Sequence, residues 1–131
     1  MVFIQEFPVS VIEKLDYYVY LLIEPESNQV FYVGKGYGNR VFAHINASIT
    51  DEMPGDKLDR IRLIISKGFE VLHRIHRHGL TEKEAFEVEA SLIDFIGLSG
   101  LANQMQGYNS DDRGQMTVTE VVAKSRPRLR I

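Results

Sequence analysis

Cysteine is absent from this chain of 131 residues. Disulfide bonds and thiolate metal sites are therefore excluded, and the absence fits an intracellular protein. No apolar run approaches the roughly 20 residues that cross a bilayer. The first residues, Met1 to Gln5, lack the basic start and the apolar stretch of a signal peptide. We therefore expect a protein without a membrane-embedded part.

A large excess of one charge is also missing. The chain has 15 basic and 18 acidic residues, a formal net charge of −3 and a pI of about 5.8. Nucleic-acid binders are usually basic, because they neutralise phosphates, so the total argues against such a partner. The charge is uneven, however, because residues 101–131 carry five basic and three acidic residues and the segment 35–40 is locally basic. A basic surface on an acidic protein is therefore left open.

The length and the patterning predict one domain, 1–131, with an α/β (α+β) fold in which a small three-stranded antiparallel sheet is flanked by helices. Runs of β-branched and aromatic residues indicate strands, and apolar residues at helical spacing indicate helices. The predicted strands are 17–23, 30–34 and 69–76. The predicted helices are 8–16, 39–47, 56–67, 81–96 and 118–123. Thr81 and Glu84 form a capping box that begins the fourth helix.

One carboxylate lies on the apolar face of that fourth helix. On a helical wheel, Glu89 falls within about 60° of five apolar residues. These are Ala85, Phe86, Leu92, Ile93 and Ile96. Burying a carboxylate costs several kcal/mol without compensation, so Glu89 has either a cationic partner, a position at the rim of the domain, or a bound metal ion. A lone carboxylate suits Mg²⁺, which keeps several of its waters.

Tyrosines occur in both of the first two strands. Tyr20 and Tyr32 lie on the same face of the predicted hairpin if the register is even, which the sequence does not determine. Tyrosine is also simply favoured in strands, and that alternative explains any one of them.

A glycine-containing loop, Gly34-Lys35-Gly36-Tyr37-Gly38, follows the second strand without the spacing of a P-loop. Arg40 and His44 come next, one helical turn apart and therefore on one face. The pair is either an anion site at the edge of the core or an ordinary solvated pair.

In combination, these residues resemble the GIY-YIG nuclease family. The family signature is a hairpin with one tyrosine triplet in each strand, followed by Arg and His, then Glu, then Asn. The matching residues are Tyr18-Val19-Tyr20, Tyr32-Val33-Gly34, Arg40, His44, Glu89 and Asn103. The sequence is most similar to the branch found in the ankyrin-and-LEM-domain nucleases and their small prokaryotic relatives. One departure is Tyr18, which stands where the first triplet has glycine.

The resemblance implies a metal-dependent endonuclease that hydrolyses a DNA phosphodiester bond, with branched or structured DNA suggested by this branch. It implies that Glu89 holds one divalent cation, Mg²⁺ or Mn²⁺. Tyr20 is then the general base that activates the attacking water. A phenol with an ordinary pKa near 10 is a poor base at pH 7, and we expect Lys35 and His44 to assist it as cationic neighbours.

The remaining signature residues have implied roles in binding and orientation. Arg40 binds the phosphate and stabilises charge in the transition state, and Lys35 is a second substrate-binding residue. Tyr32 orients by hydrogen bonding, and Asn103 fixes the geometry around the site. The implied partner is DNA, and the expected location is the cytoplasm or the nucleoid.

Two further hypotheses complete the prediction. The nuclease core spans about residues 17–107, and residues 108–131 form a C-terminal extension whose loose basic tail follows a DNA backbone. The alternative function is a catalytically silent GIY-YIG-like domain that binds nucleic acid or a protein partner.

Overall fold

The computed structural model describes residues 6–50, 54–103 and 113–125. Its three strands are β1 (Tyr17–Glu24), β2 (Gln29–Gly36) and β3 (Leu72–Leu80). They form one antiparallel sheet in the order β2-β1-β3, so that β1 is central and pairs with both edge strands. The predicted three-stranded antiparallel sheet is confirmed.

Five helices flank the sheet within the described ranges. They are α1 (Val9–Leu15), α2 (Ala43–Thr50), α3 (Asp56–Ser66), α4 (Glu82–Ile96) and α5 (Val118–Ser125). The predicted capping box begins α4, because Thr81 Oγ1 accepts from the Glu84 backbone N–H and Glu84 accepts from the Thr81 backbone N–H. None of the helices in these ranges is long and apolar enough to cross a membrane.

The sheet separates two apolar clusters. On one face, Tyr18, Tyr20 and Leu22 of β1 pack against the segment around Val41 and against α3 at Ile61. On the other face, four strand residues pack under α4 and the chain that follows it. These residues are Val19, Leu21, Ile23 and Val33. Alternate residues of β1 thus supply both clusters, and β1 is buried along nearly its whole length. The result is a three-layer arrangement with the sheet in the middle.

Three elements differ from the prediction. β2 runs from Gln29 to Gly36, so Lys35 and Gly36 belong to the strand and not to the predicted loop. The third strand begins at Leu72 and extends to Leu80. It is a mostly exposed edge strand rich in Arg and His, its pairing with β1 is irregular in two places towards its C-terminal end, and its last residues therefore lack the apolar alternation that identifies a strand. The helix predicted from residue 39 begins instead as a 3-10 turn, Gly38–Phe42, and becomes α-helical only at Ala43. Gly38 has a φ of 62°, which sets the sharp exit from β2.

Candidate active site

An open cavity of about 430 Å³ lies at the outer edge of β2, where the two faces of the sheet meet. Five of the seven residues predicted for the site line this cavity. They are Tyr20, Tyr32, Lys35, Arg40 and Glu89. The chain therefore brings a carboxylate, two phenols and two cations together from β1, β2, the 3-10 turn and α4.

The hairpin register places the two phenols on one face. Tyr20 pairs with Gly34 across the two strands, and Tyr32 pairs with Leu22, so Tyr20 and Tyr32 are diagonal neighbours. Their ring centroids are 6.2 Å apart. This is the arrangement that the sequence allowed but did not determine.

Gly34 is required because the Tyr20 ring lies across it. A Cβ atom at position 34 would lie 2.5 Å from the Tyr20 hydroxyl oxygen, closer than real Cβ contacts. We predict that Gly34→Ala displaces the phenol and lowers the free energy of unfolding by about 1–3 kcal/mol, as overpacking a core does. Urea denaturation measures the change. Gly100→Ala is the control, because a Cβ there meets nothing within 4 Å. Equal stability of the two variants would contradict the prediction.

His44 is the hydrogen-bond partner of Tyr20. Its Nε2 lies 2.9 Å from the Tyr20 hydroxyl oxygen, and the imidazole is only 6% exposed. Burial lowers the pKa of His44 to about 3, and the charges of Lys57 and Arg40 act in the same direction. The expectation that His44 assists Tyr20 as a cation is therefore wrong. His44 is neutral at pH 7, and in the tautomer protonated on Nδ1 its Nε2 accepts the Tyr20 hydroxyl proton.

The lowered pKa predicts acid sensitivity. In the unfolded chain histidine has a pKa of about 6.5, so above that pH His44 is neutral in both the folded and the unfolded state. As the pH falls from there towards 3, only the unfolded state gains the proton, so stability is lost. At pH 5 the loss due to His44 is on the order of 2 kcal/mol. Urea denaturation at pH 7 and pH 5 should show a loss larger by this amount in the wild type than in His44→Gln, which keeps the contribution of His73, whose pKa is also lowered by burial. An equal loss in both proteins would show that His44 titrates normally.

The pKa of Tyr20 is raised well above its ordinary value. Burial is the main cause, and the phenol of Tyr32 and the charge of Glu89 add to it, while Arg40 opposes it. The pKa of Tyr32 is also raised, by burial and by Glu89. Both phenols are therefore neutral at rest, and any base function of Tyr20 needs an acceptor for its proton.

Tyr18, at the position where the family signature has glycine, positions the turn that carries Arg40. Its hydroxyl donates to the Gly38 carbonyl oxygen at 2.6 Å and accepts from the Val41 backbone N–H at 3.0 Å. The stem of Arg40 lies on Gly36, where a Cβ atom would be 2.6 Å from the Arg40 Cβ. These contacts aim the exposed side chain of Arg40 at the cavity. Sequence reasoning missed this role, because the contact forms only once the 3-10 turn is in place.

Glu89 is half-buried on the inward face of α4, as the helical wheel predicted. Burial raises the pKa of its carboxyl group, whereas the charge of Lys35 and a hydrogen bond from the Lys35 backbone N–H oppose the increase. The Lys35 ammonium also lies 4.2 Å from the centroid of the Phe86 ring on the same helix. Glu89 thus faces the cavity with one nearby cation and no ion-pair geometry among the described residues.

Asn103 lies beside the outer edge of β2, next to the cavity rather than in its lining. Its side chain accepts from the Val33 backbone N–H at 3.0 Å and donates to the Val33 carbonyl oxygen at 2.7 Å. Val33 is flanked by Tyr32 and Gly34, so this double hydrogen bond holds the part of β2 that carries the second tyrosine.

A second residue that sequence reasoning missed is Lys57, in the first turn of α3. Its ammonium lies 4.7 Å from the centroid of the Tyr32 ring. Nothing in the helical pattern of α3 distinguishes Lys57 from a solvated lysine, because the contact with Tyr32 depends on how α3 packs on the sheet.

The donor set at Glu89 fits a hard divalent cation. A single half-buried carboxylate in an open cavity leaves room for waters and for a phosphate oxygen, which is how Mg²⁺ is commonly bound. A structural zinc site would need more ligands, and the described part of the chain has no cluster of three or more His, Asp or Glu side chains.

Comparison with known proteins agrees with this geometry. Residues 17–123 match the model of the LEM-3-like GIY-YIG domain, and the chain belongs to this family. GIY-YIG is a nuclease-type domain whose members generally use divalent metals. The resemblance seen in the sequence is thereby confirmed.

Among curated proteins, the chain is similar to the "Ankyrin repeat and LEM domain-containing protein 1 homolog" of Caenorhabditis elegans. The two are 32% identical over 96 residues, which is 66% of this chain and 13% of that protein. The chain thus spans about an eighth of the length of this relative. No solved structure gave a significant match.

Proposed function

We propose that this protein is a DNA endonuclease that hydrolyses phosphodiester bonds with the help of one divalent cation. The observation that supports this best is that Glu89, Arg40, Tyr20 and Tyr32 line the same cavity. An acidic chain with this cavity still offers a local positive surface, because Lys35, Arg40 and Lys57 all lie at or beside it.

Glu89 is the residue that would hold Mg²⁺ or Mn²⁺. The bound ion would polarise the scissile phosphate and stabilise negative charge on the leaving 3′ oxygen. The Lys35 ammonium and backbone N–H favour the ionised form of Glu89 that such binding requires.

Tyr20 and His44 act as a pair on the attacking water. The Tyr20 oxygen takes a proton from the water while its own proton passes to His44 Nε2, so the phenol never has to exist as a free phenolate. The lowered pKa of His44 opposes this transfer in the free protein. A bound phosphate offsets the charges of Arg40 and Lys57, which are two of the causes of that lowering, and so makes His44 a better acceptor.

Arg40, Tyr32, Lys35 and Asn103 bind and orient. The guanidinium of Arg40 is exposed at the cavity and stabilises charge that builds on the phosphate oxygens. The hydroxyl of Tyr32 orients the attacking water or the phosphate, and Lys35 attracts the DNA backbone. Asn103 keeps the strand that carries Tyr32 in place.

The alternative is a silent GIY-YIG domain that binds nucleic acid or a protein partner. The observation in its favour is that burial raises the pKa of Tyr20 and lowers that of His44, so neither group is a ready base at rest.

A nicking assay separates the two functions. Purified protein is incubated with branched, flapped and plain duplex DNA in the presence of Mg²⁺ or Mn²⁺, beside the same protein in EDTA. Metal-dependent cleavage of any substrate supports the endonuclease, and preferential cleavage of the branched DNA supports the substrate that the family branch suggests. Binding without cleavage on the whole panel supports the silent domain.

Besides the roles of the site residues, three further parts of the prediction remain predictions. The intracellular location rests on the lack of cysteine. The single domain and its core boundary near residue 107 rest on sequence patterns, and that boundary falls within residues 104–112, outside the described part of the chain. The basic tail lies mostly in residues 126–131, which are also outside it.

A further inference from the structure

Lys57 differs from an ordinary solvated surface lysine in its position. It is half-buried in the first turn of α3, and its ammonium lies over the Tyr32 ring at 4.7 Å from the ring centroid. An ammonium over an aromatic face is weakly attractive. This attraction is offset by the loss of water around the charge.

The neighbouring charge makes the position less favourable still. Burial lowers the pKa of Lys57, and the charge of Arg40 lowers it further. Both cations also lower the pKa of His44. Like charges repel more strongly where water is partly excluded, so the free fold holds Lys57 and Arg40 together at an energetic cost.

Other cations on α3 and at its end are neutralised by acids. The pairs are Arg60–Asp56 at 3.1 Å, Arg62–Asp59 at 3.1 Å and Lys67–Glu26 at 3.3 Å. Within the described residues, neither Lys57 nor Arg40 has a carboxylate within ion-pair distance. Among the described residues, therefore, two neighbouring cations close to one phenol have no carboxylate partner, and together they favour an anion.

We propose that Lys57 binds a DNA backbone phosphate next to the scissile phosphate, so that Arg40 and Lys57 engage consecutive phosphates. Lys57 does not line the cavity that contains Glu89, whereas Arg40 does. Arg40 is therefore the cation for the reacting phosphate, and Lys57 reaches the next one along the strand. This inference rests on the proposed nuclease function and adds a binding residue to it.

The salt dependence of DNA binding tests the proposal. Each phosphate contact on duplex DNA contributes about 0.9 to the slope of log K against log salt concentration. Binding of a short fluorescein-labelled duplex is measured by anisotropy in EDTA, between about 50 and 200 mM salt. For Lys57→Met we expect weaker binding at low salt and a slope smaller by about 0.9. Over this fourfold range of salt, the advantage of the wild type should shrink about 3.5-fold.

Two matched variants make the result specific. Lys57→Arg keeps the charge and should keep the slope, whereas a lysine that only packs on Tyr32 would give the same slope in all variants. Lys67→Met removes a cation at the far end of α3 that is already paired with Glu26, and it should leave both slope and affinity unchanged. Lys57→Gln serves as a second neutral variant, should Lys57→Met not fold.

The outcomes are distinguishable. A wild type that binds and cleaves DNA, beside a folded neutral variant with an unchanged slope, overturns the role of Lys57 alone. A wild type that neither binds nor cleaves DNA overturns the proposed function, and the phosphate site with it. A loss of slope in Lys57→Met together with retention in Lys57→Arg supports the site.

Discussion

Glu89→Gln is expected to abolish metal-dependent cleavage while the free energy of unfolding stays the same or rises. The amide has the shape of the carboxylate and still accepts from the Lys35 backbone N–H, but it cannot hold a divalent cation comparably. Burial raises the pKa of Glu89, so the ionised group is costly to the fold, and a neutral side chain removes that cost. Losing about 4 kcal/mol of transition-state stabilisation by the metal corresponds to a rate lower by about 10³-fold.

The measurement combines the nicking assay with urea denaturation and with titration of Mn²⁺. The matched control is Glu87→Gln, two residues earlier on α4. Glu87 accepts two hydrogen bonds from Arg113, at 2.6 and 2.9 Å, and has its own cationic partner. This control should cleave normally. Cleavage retained by Glu89→Gln would rule out the metal role, and loss of folding together with cleavage would assign Glu89 to stability.

Tyr20→Phe is expected to slow cleavage by about 10²–10⁴-fold, the usual contribution of general acid–base catalysis. DNA affinity should hardly change, because the lost hydroxyl is hydrogen-bonded to His44 and is not one of the groups proposed to bind the DNA backbone. The free energy of unfolding should fall by about 1–3 kcal/mol, because His44 Nε2 is left buried without its partner. Single-turnover cleavage, DNA anisotropy and urea denaturation measure the three quantities.

Tyr17→Phe is the matched control, because it removes a phenol hydroxyl that lines the cavity but does not belong to the Tyr20–His44 pair. Tyr17 also lines the cavity, but the adjacent Glu82 raises its pKa, and the two side chains are hydrogen-bonded. Its loss should leave the rate within a fewfold of the wild type. Near-normal turnover by Tyr20→Phe would remove Tyr20 as the base.

A double-mutant cycle adds a test of the proton transfer from Tyr20 to His44. If the two residues act as one unit, Tyr20→Phe combined with His44→Gln should be no slower than the slower single variant. Rate losses that multiply would instead show that the two side chains act independently.

The sequence carried enough information for the sheet, for α4 and for Glu89, because these depend on local periodicity. β-Branched and aromatic residues define β1, a capping box begins α4, and the helical wheel alone places Glu89 among apolar neighbours. The family match over residues 17–123 confirms the resemblance that the signature residues indicated.

Features that depend on packing between distant segments were not predictable. The hairpin register includes an irregularity between Leu22 and Ile23 that no residue pattern predicts. The sequence shows Tyr18 only as a replacement for glycine, because its hydrogen bonds to Gly38 and Val41 depend on the folded 3-10 turn. The charge of His44 depends on burial and on Lys57, which is on another helix, so its neutral state could not be read from an Arg–His spacing.

The hydrogen bonds along β2 also have a consequence for how this protein meets other copies of itself. An edge strand with free amides and carbonyls is a template onto which a strand from another molecule can add, which is a common route to aggregation. Here Ala102 donates to the Phe31 carbonyl oxygen, Asn103 occupies both polar groups of Val33, and Glu89 accepts from Lys35. Glu89, which lines the cavity, and the neighbouring Ala102 and Asn103 thus also close this edge against intermolecular sheet growth.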